Sequence, residues 1–490
     1  MKSMQWINSC TTWRQRAWAM ERMRHWVPRM LPFADAASAE LPLGRLLRLS
    51  LFQVSVGMAA ALMVGTLNRV MIVELNMSAW LVALMVALPL VFAPFRALIG
   101  FRSDHHASAL GWRRVPYLWI GTLLMFGGLA IMPFALLVLT GEGQFGMAWL
   151  GHLAAGLAFL LVGAGMQTTQ TAGLALATDL SSEASRPRVV AMMYVMLLLG
   201  MVGGGFAFST LLADFSDTRL VQVVQGVAVF AVLFNFSAVW RQEPRGRRRS
   251  KNEPRPAFSP RWRSFIAQPK VRRFLWATGL GTAAFNMQDI VLEPYGGEIL
   301  NLSVSATSAL TALMAGGALA AFALAARMLM RGADPMRVAA MGAVIGLPAF
   351  SAVIFAAPAD APWMFRLGTI FIGFGSGLFA VGTLTAAMGL ERKEDVGLAL
   401  GAWGAVQATA AGCAIAAGGA LRDIVGHLAM DGWLGPVLQL PVTGYGFVYY
   451  LELLLLFAAL VALGPLVRRS APQRTQAPMP TRFGLADLPG

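Results

Sequence analysis

The sequence predicts an all-α polytopic membrane protein with twelve transmembrane helices in two six-helix halves. Of its 490 residues, 57% are hydrophobic and 13% charged, whereas a soluble domain carries about 25% charged residues. Apolar stretches of about 20 residues, enough to cross a hydrocarbon core, recur twelve times. A basic, proline-containing segment separates the first six from the last six.

Residues 1–45 are a basic N-terminal extension, rich in Arg and Trp. They lack an apolar core followed by a small-residue cleavage site, so they do not read as a secretory signal. Trp13, Ala17, Met20, Met23, Val27 and Met30 approximate the apolar stripe of an interfacial helix, interrupted by Arg16 and Arg24. The first half, 46–240, holds spans near 47–73, 78–101, 115–139, 148–176, 189–212 and 219–240. The second half, 273–467, holds spans near 273–297, 306–329, 336–357, 362–388, 396–420 and 444–467. Between them lies the linker, 241–272, and a tail follows at 468–490. From Arg241 to Arg273 there are twelve Lys or Arg against Glu243 and Glu253. With both termini cytoplasmic, 35 of the 39 Lys and Arg fall on one side, the exceptions being Arg69, Arg219, Arg366 and Arg422; positive-inside asymmetry sets that orientation. The net charge of +15 is dispersed among short loops, which disfavours a nucleic-acid partner and favours anionic lipid. Cys10 and Cys413 have no metal-ligand spacing.

The loops repeat between the halves. Gly100-Phe-Arg-Ser-Asp104 and Gly111-Trp-Arg113-Arg114 join spans two and three, and Arg331-Gly-Ala-Asp334-Pro-Met-Arg337 occupies the matching place in the second half. The first resembles, with an insertion, the Gly-x-x-x-Asp-Arg-x-Gly-Arg-Arg loop of the major facilitator superfamily, which implies parallel half-repeats around a central cavity. Asp104, Arg113 and Arg114 are then expected to latch the cytoplasmic helix ends through charge pairs and helix dipoles.

Span seven carries the costliest residues. In Phe285-Asn-Met-Gln-Asp289-Ile-Val-Leu-Glu293-Pro-Tyr-Gly-Gly297, two acids lie four apart and share a helix face. A charge at bilayer depth costs at least about 2.5 kcal/mol, so such acids are paired, hydrated or used. Pro294 has no N–H, which leaves the Ile290 carbonyl without its helical donor. Aligning Asn68 of span one with Gln288 sets Arg69 opposite Asp289, and an ion pair from Arg69 to Asp289 or Glu293 is expected, with either a structural or a coupling role. Glu74, at the outer end of span one, is expected to be solvated.

His152, in Gly151-His-Leu-Ala-Ala-Gly156, has an imidazole able to ligate a flat metal macrocycle, with small neighbours leaving room; a packing histidine is the alternative. His105 and His106 read as solvated loop residues, and His427 as part of an outer loop of about 424–443. Gln167 to Thr171 form a polar cluster suited to joining helices, and Gly200–Gly204, Gly373–Gly377 and Gly397–Gly401 suit close helix approach. No phosphate-binding loop, metalloprotease motif or nucleophile elbow is present in a plausible context. An ATP-driven pump or a membrane hydrolase is disfavoured, and the chain is not expected to be an enzyme.

Leu67-Asn-Arg-Val-Met-Ile-Val-Glu-Leu75, Pro94-Phe-Arg-Ala-Leu-Ile-Gly-Phe-Arg-Ser-Asp-His-His106, Gly111-Trp-Arg-Arg-Val-Pro-Tyr117 and the span-seven string resemble the signatures of the PucC/LhaA family, the bacteriochlorophyll-delivery branch of the major facilitator superfamily in purple phototrophic bacteria. The long N-terminal extension sets the chain nearer the LhaA type, associated with the core light-harvesting 1 antenna. The resemblance implies assembly of light-harvesting complexes in the cytoplasmic or intracytoplasmic membrane, with transiently bound bacteriochlorophyll a. Antenna polypeptides and bacteriochlorophyll or its synthesis enzymes are the implied partners. It supplies no catalytic residues; His152 and Gln288 are candidate pigment ligands on chemical grounds. The alternative is a proton-coupled secondary transporter of a small organic solute or pigment precursor.

Overall fold

The computed structural model describes residues 41–91, 112–139, 148–181, 185–243, 263, 265–389 and 396–467, and these are helical with short connections. The first half comprises α1 (Leu43–Glu74), α2 (Ala79–Val91), α3 (Val115–Leu139), α4 (Ala148–Leu180), α5 (Arg186–Leu211) and α6 (Asp217–Val239). The second half opens with an interrupted helix: α7a (Pro269–Asn286), a 3-10 turn (Met287–Ile290) and α7b (Leu292–Glu298). It continues with α8 (Val304–Met330), α9 (Pro335–Ala356), α10 (Pro362–Met388), α11 (Val396–Met430) and α12 (Val442–Leu463). Among the described residues ten helices are long and apolar enough to span a membrane. The other two predicted spans correspond to α2, a shorter apolar helix, and to α7, broken at the place where Pro294 withholds a donor.

Helix ends follow local chemistry. Ser216, Ser303 and Asp334 accept backbone N–H bonds at the starts of α6, α8 and α9, as short polar side chains do at N-caps. Pro269, Pro335 and Pro362 occupy first-turn positions, where a missing N–H is harmless. α11 runs to Met430, ten residues past the predicted end of that span, so His427 lies in a helix and not in the expected outer loop. Residues 421–430 hold no proline, and the first glycine with positive φ beyond them is Gly432.

Small residues set the helix contacts. A Cβ on Gly200 would lie 2.8 Å from Val54 Cα of α1, and one on Gly377 2.8 Å from Ala321 Cβ of α8. Both belong to the expected close-approach motifs. Gly401 of the third motif has nothing within 4 Å and does not mediate such an approach.

The two ends of the bundle differ. At the end opposite the linker, hereafter the far end, hydrogen bonds cross between the halves. Ser305 Oγ of α8 donates to the Ser209 carbonyl of α5 at 2.6 Å, Trp80 N at the start of α2 donates to Asp423 Oδ2 of α11 at 2.8 Å, and Arg69 Nη2 reaches the Leu302 carbonyl at 3.2 Å. At the linker end the described hydrogen bonds stay within a half. Arg45 Nε donates to Gln242 Oε1 at 2.8 Å, joining α1 to the residues after α6, and Arg273 Nε donates to the Ala462 carbonyl of α12 at 3.0 Å.

Of the predicted cytoplasmic latch, Asp104 lies outside the described residues. Arg114 is buried, and its Nε contacts Asp179 Oδ2 at 3.1 Å, while Arg113 Nη2 lies 3.7 Å from the same oxygen. Glu243, the last residue described at the start of the linker, caps α3: its carboxylate accepts the backbone N–H groups of Arg113 at 2.8 Å, Arg114 at 3.1 Å and Val115 at 3.0 Å. An acid at a helix N-terminus satisfies orphan donors and complements the dipole. Replacing Glu243 with Ala should lower stability by about 1–2 kcal/mol, read as a depressed melting temperature in detergent. Glu243→Gln, which keeps one acceptor oxygen, should fall between Ala and the wild type.

Candidate functional site

The interruption of α7 is matched by irregular turns in α1, where Ala61–Leu67 and Val70–Glu74 are π-helical. The two defects face each other across the half interface. Asn68, fully buried between them, donates through Nδ2 to the carbonyls of Asp289 at 3.0 Å and Ile290 at 3.2 Å. The Ile290 carbonyl is the one deprived of a donor by Pro294, so a side chain of the first half completes the backbone of the second. Thr66 and Ser308 hydroxyls meet at 3.0 Å beside it.

Glu293 is buried, 4% exposed, and its Oε1 accepts from Thr311 of α8. A Cβ on Gly65 would lie 2.6 Å from that oxygen, so the carboxylate sits against the backbone of α1. Asp289 is partly buried, and its Oδ1 accepts from Gln288 Nε2 at 2.5 Å.

The predicted ion pair between Arg69 and Asp289 or Glu293 does not form. Arg69, itself 4% exposed, pairs with Glu74 five residues on and donates to the Leu302 carbonyl. Glu74, expected to be solvated, keeps a side chain 37% exposed while accepting this bond. The π-helical turn between the two residues lengthens the ring of backbone from four to five residues, which brings an i+5 partner onto the arginine's face. Gly297 leaves room for the guanidinium: a Cβ there would lie 3.0 Å from Arg69 Nε.

A third acid, Glu452 of α12, was not anticipated. It is fully buried, with its carboxylate against the Gln288 backbone and within electrostatic reach of Asp289. Its signal in the sequence was a lone acid in a span of mean hydropathy 2.2. Behind it, Tyr295 packs edge-on to Tyr449 and Tyr445, with centroids 5.5 and 5.6 Å away.

Toward the far end, Arg422 of α11 contacts Glu298 Oε2 at 2.5 Å and Asp423 Oδ1 at 2.8 Å, and Tyr445 O–H donates to Glu298 Oε2 at 2.7 Å. This knot joins α7b, α11 and α12 and, through Asp423, reaches α2. His427 Nδ1 lies 2.7 Å from the Asp423 carbonyl and lines a cavity of about 380 Å³ with Trp80, Ala420 and Ile424.

The two candidate pigment ligands fare differently. Gln288 is 1% exposed, and its amide nitrogen is held by Asp289 Oδ1, the Phe285 carbonyl at 3.4 Å and Met314 Sδ at 3.4 Å. Its amide oxygen has no hydrogen-bond partner but is buried with the rest of the side chain. His152 is partly buried on α4, between the exposed side chains of Trp149 and Leu153, and the position of Gly156, one turn on, has nothing within 4 Å. The polar cluster of α4 bonds as expected: Thr168 and Thr171 donate to their own helix at 2.7 Å, and Gln170 reaches Gln53 of α1 at 3.4 Å. His105 and His106 lie outside the described residues.

A family model described as PUCC protein matches residues 66–471. The chain belongs to the PUCC family. Its PUCC relatives include Protein PucC of Rhodovulum sulfidophilum, 56% identical over 413 residues that cover 83% of this chain and 91% of the relative. Protein PucC of Cereibacter sphaeroides is 53% identical over 450 residues, covering 91% and 97%. In fold, this PUCC chain is similar to a bacterial homolog of the human lysosomal transporter Spinster in an inward-facing, unoccupied conformation, with a TM-score of 0.62 at 16% identity over 88% of this chain and 98% of that one. The likeness is one of fold, which is major facilitator superfamily-like.

Because Asn68 is the donor that completes the α7 break, Asn68→Leu should cost about 2 kcal/mol or more by leaving buried carbonyls unpaired. Asn68→Asp, nearly isosteric but with an acceptor in place of the donor, should be at least as damaging. Thermal unfolding of the detergent-solubilised variants reads both.

Proposed function

We propose that this PUCC-family protein is a non-enzymatic assembly factor for the bacterial light-harvesting antenna, nearer the core light-harvesting 1 type, that binds bacteriochlorophyll a and passes it to antenna polypeptides. The observation that carries the reading is family membership across 66–471, with more than half of the aligned residues identical to those of two proteins named PucC. The strings at Leu67–Leu75 and Phe285–Gly297, which form the interlocked α1 and α7 defects, lie inside that match.

His152 is compatible with such a pigment. A ring nitrogen on the outer flank of α4, beside the open face of Gly156, suits axial ligation of a metal macrocycle arriving from the lipid side; bound there, the pigment would supply its magnesium as the acceptor. Trp149 and Leu153, exposed on either side, would contribute apolar contact to the ring and chain. Handing pigment to an antenna helix then requires lateral movement within the bilayer and no passage through the bundle. We place the linker end and both termini on the cytoplasmic side, where the basic linker meets anionic lipid.

A second reading, a proton-coupled secondary transporter of a small organic solute or pigment precursor, draws on the transporter-like fold and the buried acids. Purification from phototrophic membranes, with absorption spectra of the eluate and immunodetection of antenna subunits, tests the assembly reading. Bacteriochlorophyll and antenna polypeptides should co-elute, and His152→Leu should lower the pigment several-fold at unchanged protein yield. An eluate with neither pigment nor antenna subunits would overturn it. Uptake of a precursor by proteoliposomes, driven by a proton gradient, would favour the transporter instead.

A further inference from the structure

Tryptophan marks a level at the far end. Trp80, Trp149 and Trp363 are each the second residue of a helix that starts there, α2, α4 and α10, and all three are exposed. Tryptophan gathers where hydrocarbon meets headgroups, so the three indoles set the plane of that boundary. Contacts carry the same level to α11 and α12. Trp80 N donates to Asp423 Oδ2 of α11, and a Cβ on Gly444 of α12 would run into the Arg422 carbonyl and lie 3.1 Å from Gly426 Cα. Residues 431–441, which connect the end of α11 at Met430 to the start of α12 at Val442, therefore lie at or just beyond the boundary.

The side chains of this connection suit lipid better than water. Trp433 is 79% and Val437 82% exposed, and Leu434, Leu438 and Leu440 are exposed beside them. Asp431 is the one charged residue from Ile424 to Pro441, whereas the α5 to α6 connection at the same end exposes Asp214, Asp217 and Arg219. The backbone is served from within. Trp433 N donates to the Leu428 carbonyl at 3.1 Å, Leu438 N to Gly435 at 3.2 Å and Leu440 N to Leu438 at 2.8 Å. Gln439 Nε2 donates to the Met430 carbonyl at 2.9 Å and Thr443 Oγ1 to the Leu438 carbonyl at 2.7 Å. A segment so satisfied can enter a layer poor in water without stranding its polar groups. It also leads directly into α12, where Phe447, Tyr450, Leu454, Phe457 and Val461 form an exposed stripe at helical spacing, the lipid-facing side of that span.

We infer that residues 431–441 are an interfacial anchor whose partner is the lipid surface at the far end, with Trp433, Val437 and the exposed leucines immersed among headgroups and upper acyl chains. The attraction is apolar and aromatic. With no Lys or Arg between Arg422 and Arg468, the anchor takes a glycerophospholipid boundary irrespective of headgroup charge. Because Asp423 ties α11 to the start of α2, the depth set by the anchor in the second half is passed to the first. The inference holds whether the protein carries pigment or solute.

A nitroxide at position 437 tests it, in the full chain with Cys10 and Cys413 replaced by Ser and reconstituted in phosphatidylcholine nanodiscs. Oxygen concentrates in the bilayer and a nickel chelate in water, so power saturation with each reads the depth of the label. The oxygen-to-nickel collision ratio should be several-fold higher at Val437 than at Ala213, exposed in the charged α5 to α6 connection. Exchanging a third of the lipid for phosphatidylglycerol should leave the ratio unchanged, and Trp433→Asp should lower it toward the Ala213 value. A label at Val437 as open to nickel as the one at Ala213 would put the connection in water and overturn the inference. Shielding from both reagents would sink it equally, since a second copy of the chain or another polypeptide would then cover the face. A ratio that rises only with phosphatidylglycerol would refute an apolar attachment indifferent to headgroup charge.

Discussion

The bond from Asn68 to the carbonyls of Asp289 and Ile290 fixes the geometry of everything near the middle of the molecule. Inside a bilayer an unpaired backbone carbonyl has no water to turn to, so a proline-broken helix needs a donor from a neighbour. Here the donor comes from the opposite half of the chain. Its position holds α1 and α7 in one register, and that register decides which residues meet: Thr66 with Ser308, Gly65 with Glu293, Gly297 with Arg69. A defect in one helix has become the keying feature of the interface between the halves.

From this key the bundle is asymmetric along its axis. Toward the far end the halves are joined by hydroxyl and backbone bonds from α5 to α8 and by the Asp423 contact from α11 to α2, with the Arg422 knot supporting the latter. Toward the linker, each half satisfies its polar groups internally, α1 against the end of α6 and α7 against α12. The described hydrogen bonds between the halves thus gather at the far end.

Much of this was legible in the sequence, because spans, halves and linker follow from hydropathy and charge, which act locally. The deprived Ile290 carbonyl was legible too, since proline chemistry is intrinsic to the residue. The alignment of Asn68 with Gln288 placed the correct segments face to face. What the alignment could not supply was the partner of Arg69: pseudo-symmetry assumes regular helices, and the π turns rotated Glu74 onto the arginine. Glu452 escaped because nothing in its own neighbourhood distinguishes a functional acid from a tolerated one; its meaning comes from α12 packing against the α7 break. Nothing in the sequence showed that Gln288 would be buried among its neighbours.

The cap on α3 gives the central linker a mechanical anchor. Glu243 is the last residue described at the start of the basic stretch, and its carboxylate grips three consecutive amides at the start of α3, two of them from Arg113 and Arg114, whose side chains hold Asp179 of α4. At Glu243 the linker is therefore held to the first half. Whatever pulls on it, a lipid surface or a docked polypeptide, pulls first on the corner where α3 and α4 meet, so a load applied outside the membrane enters the first half through that corner.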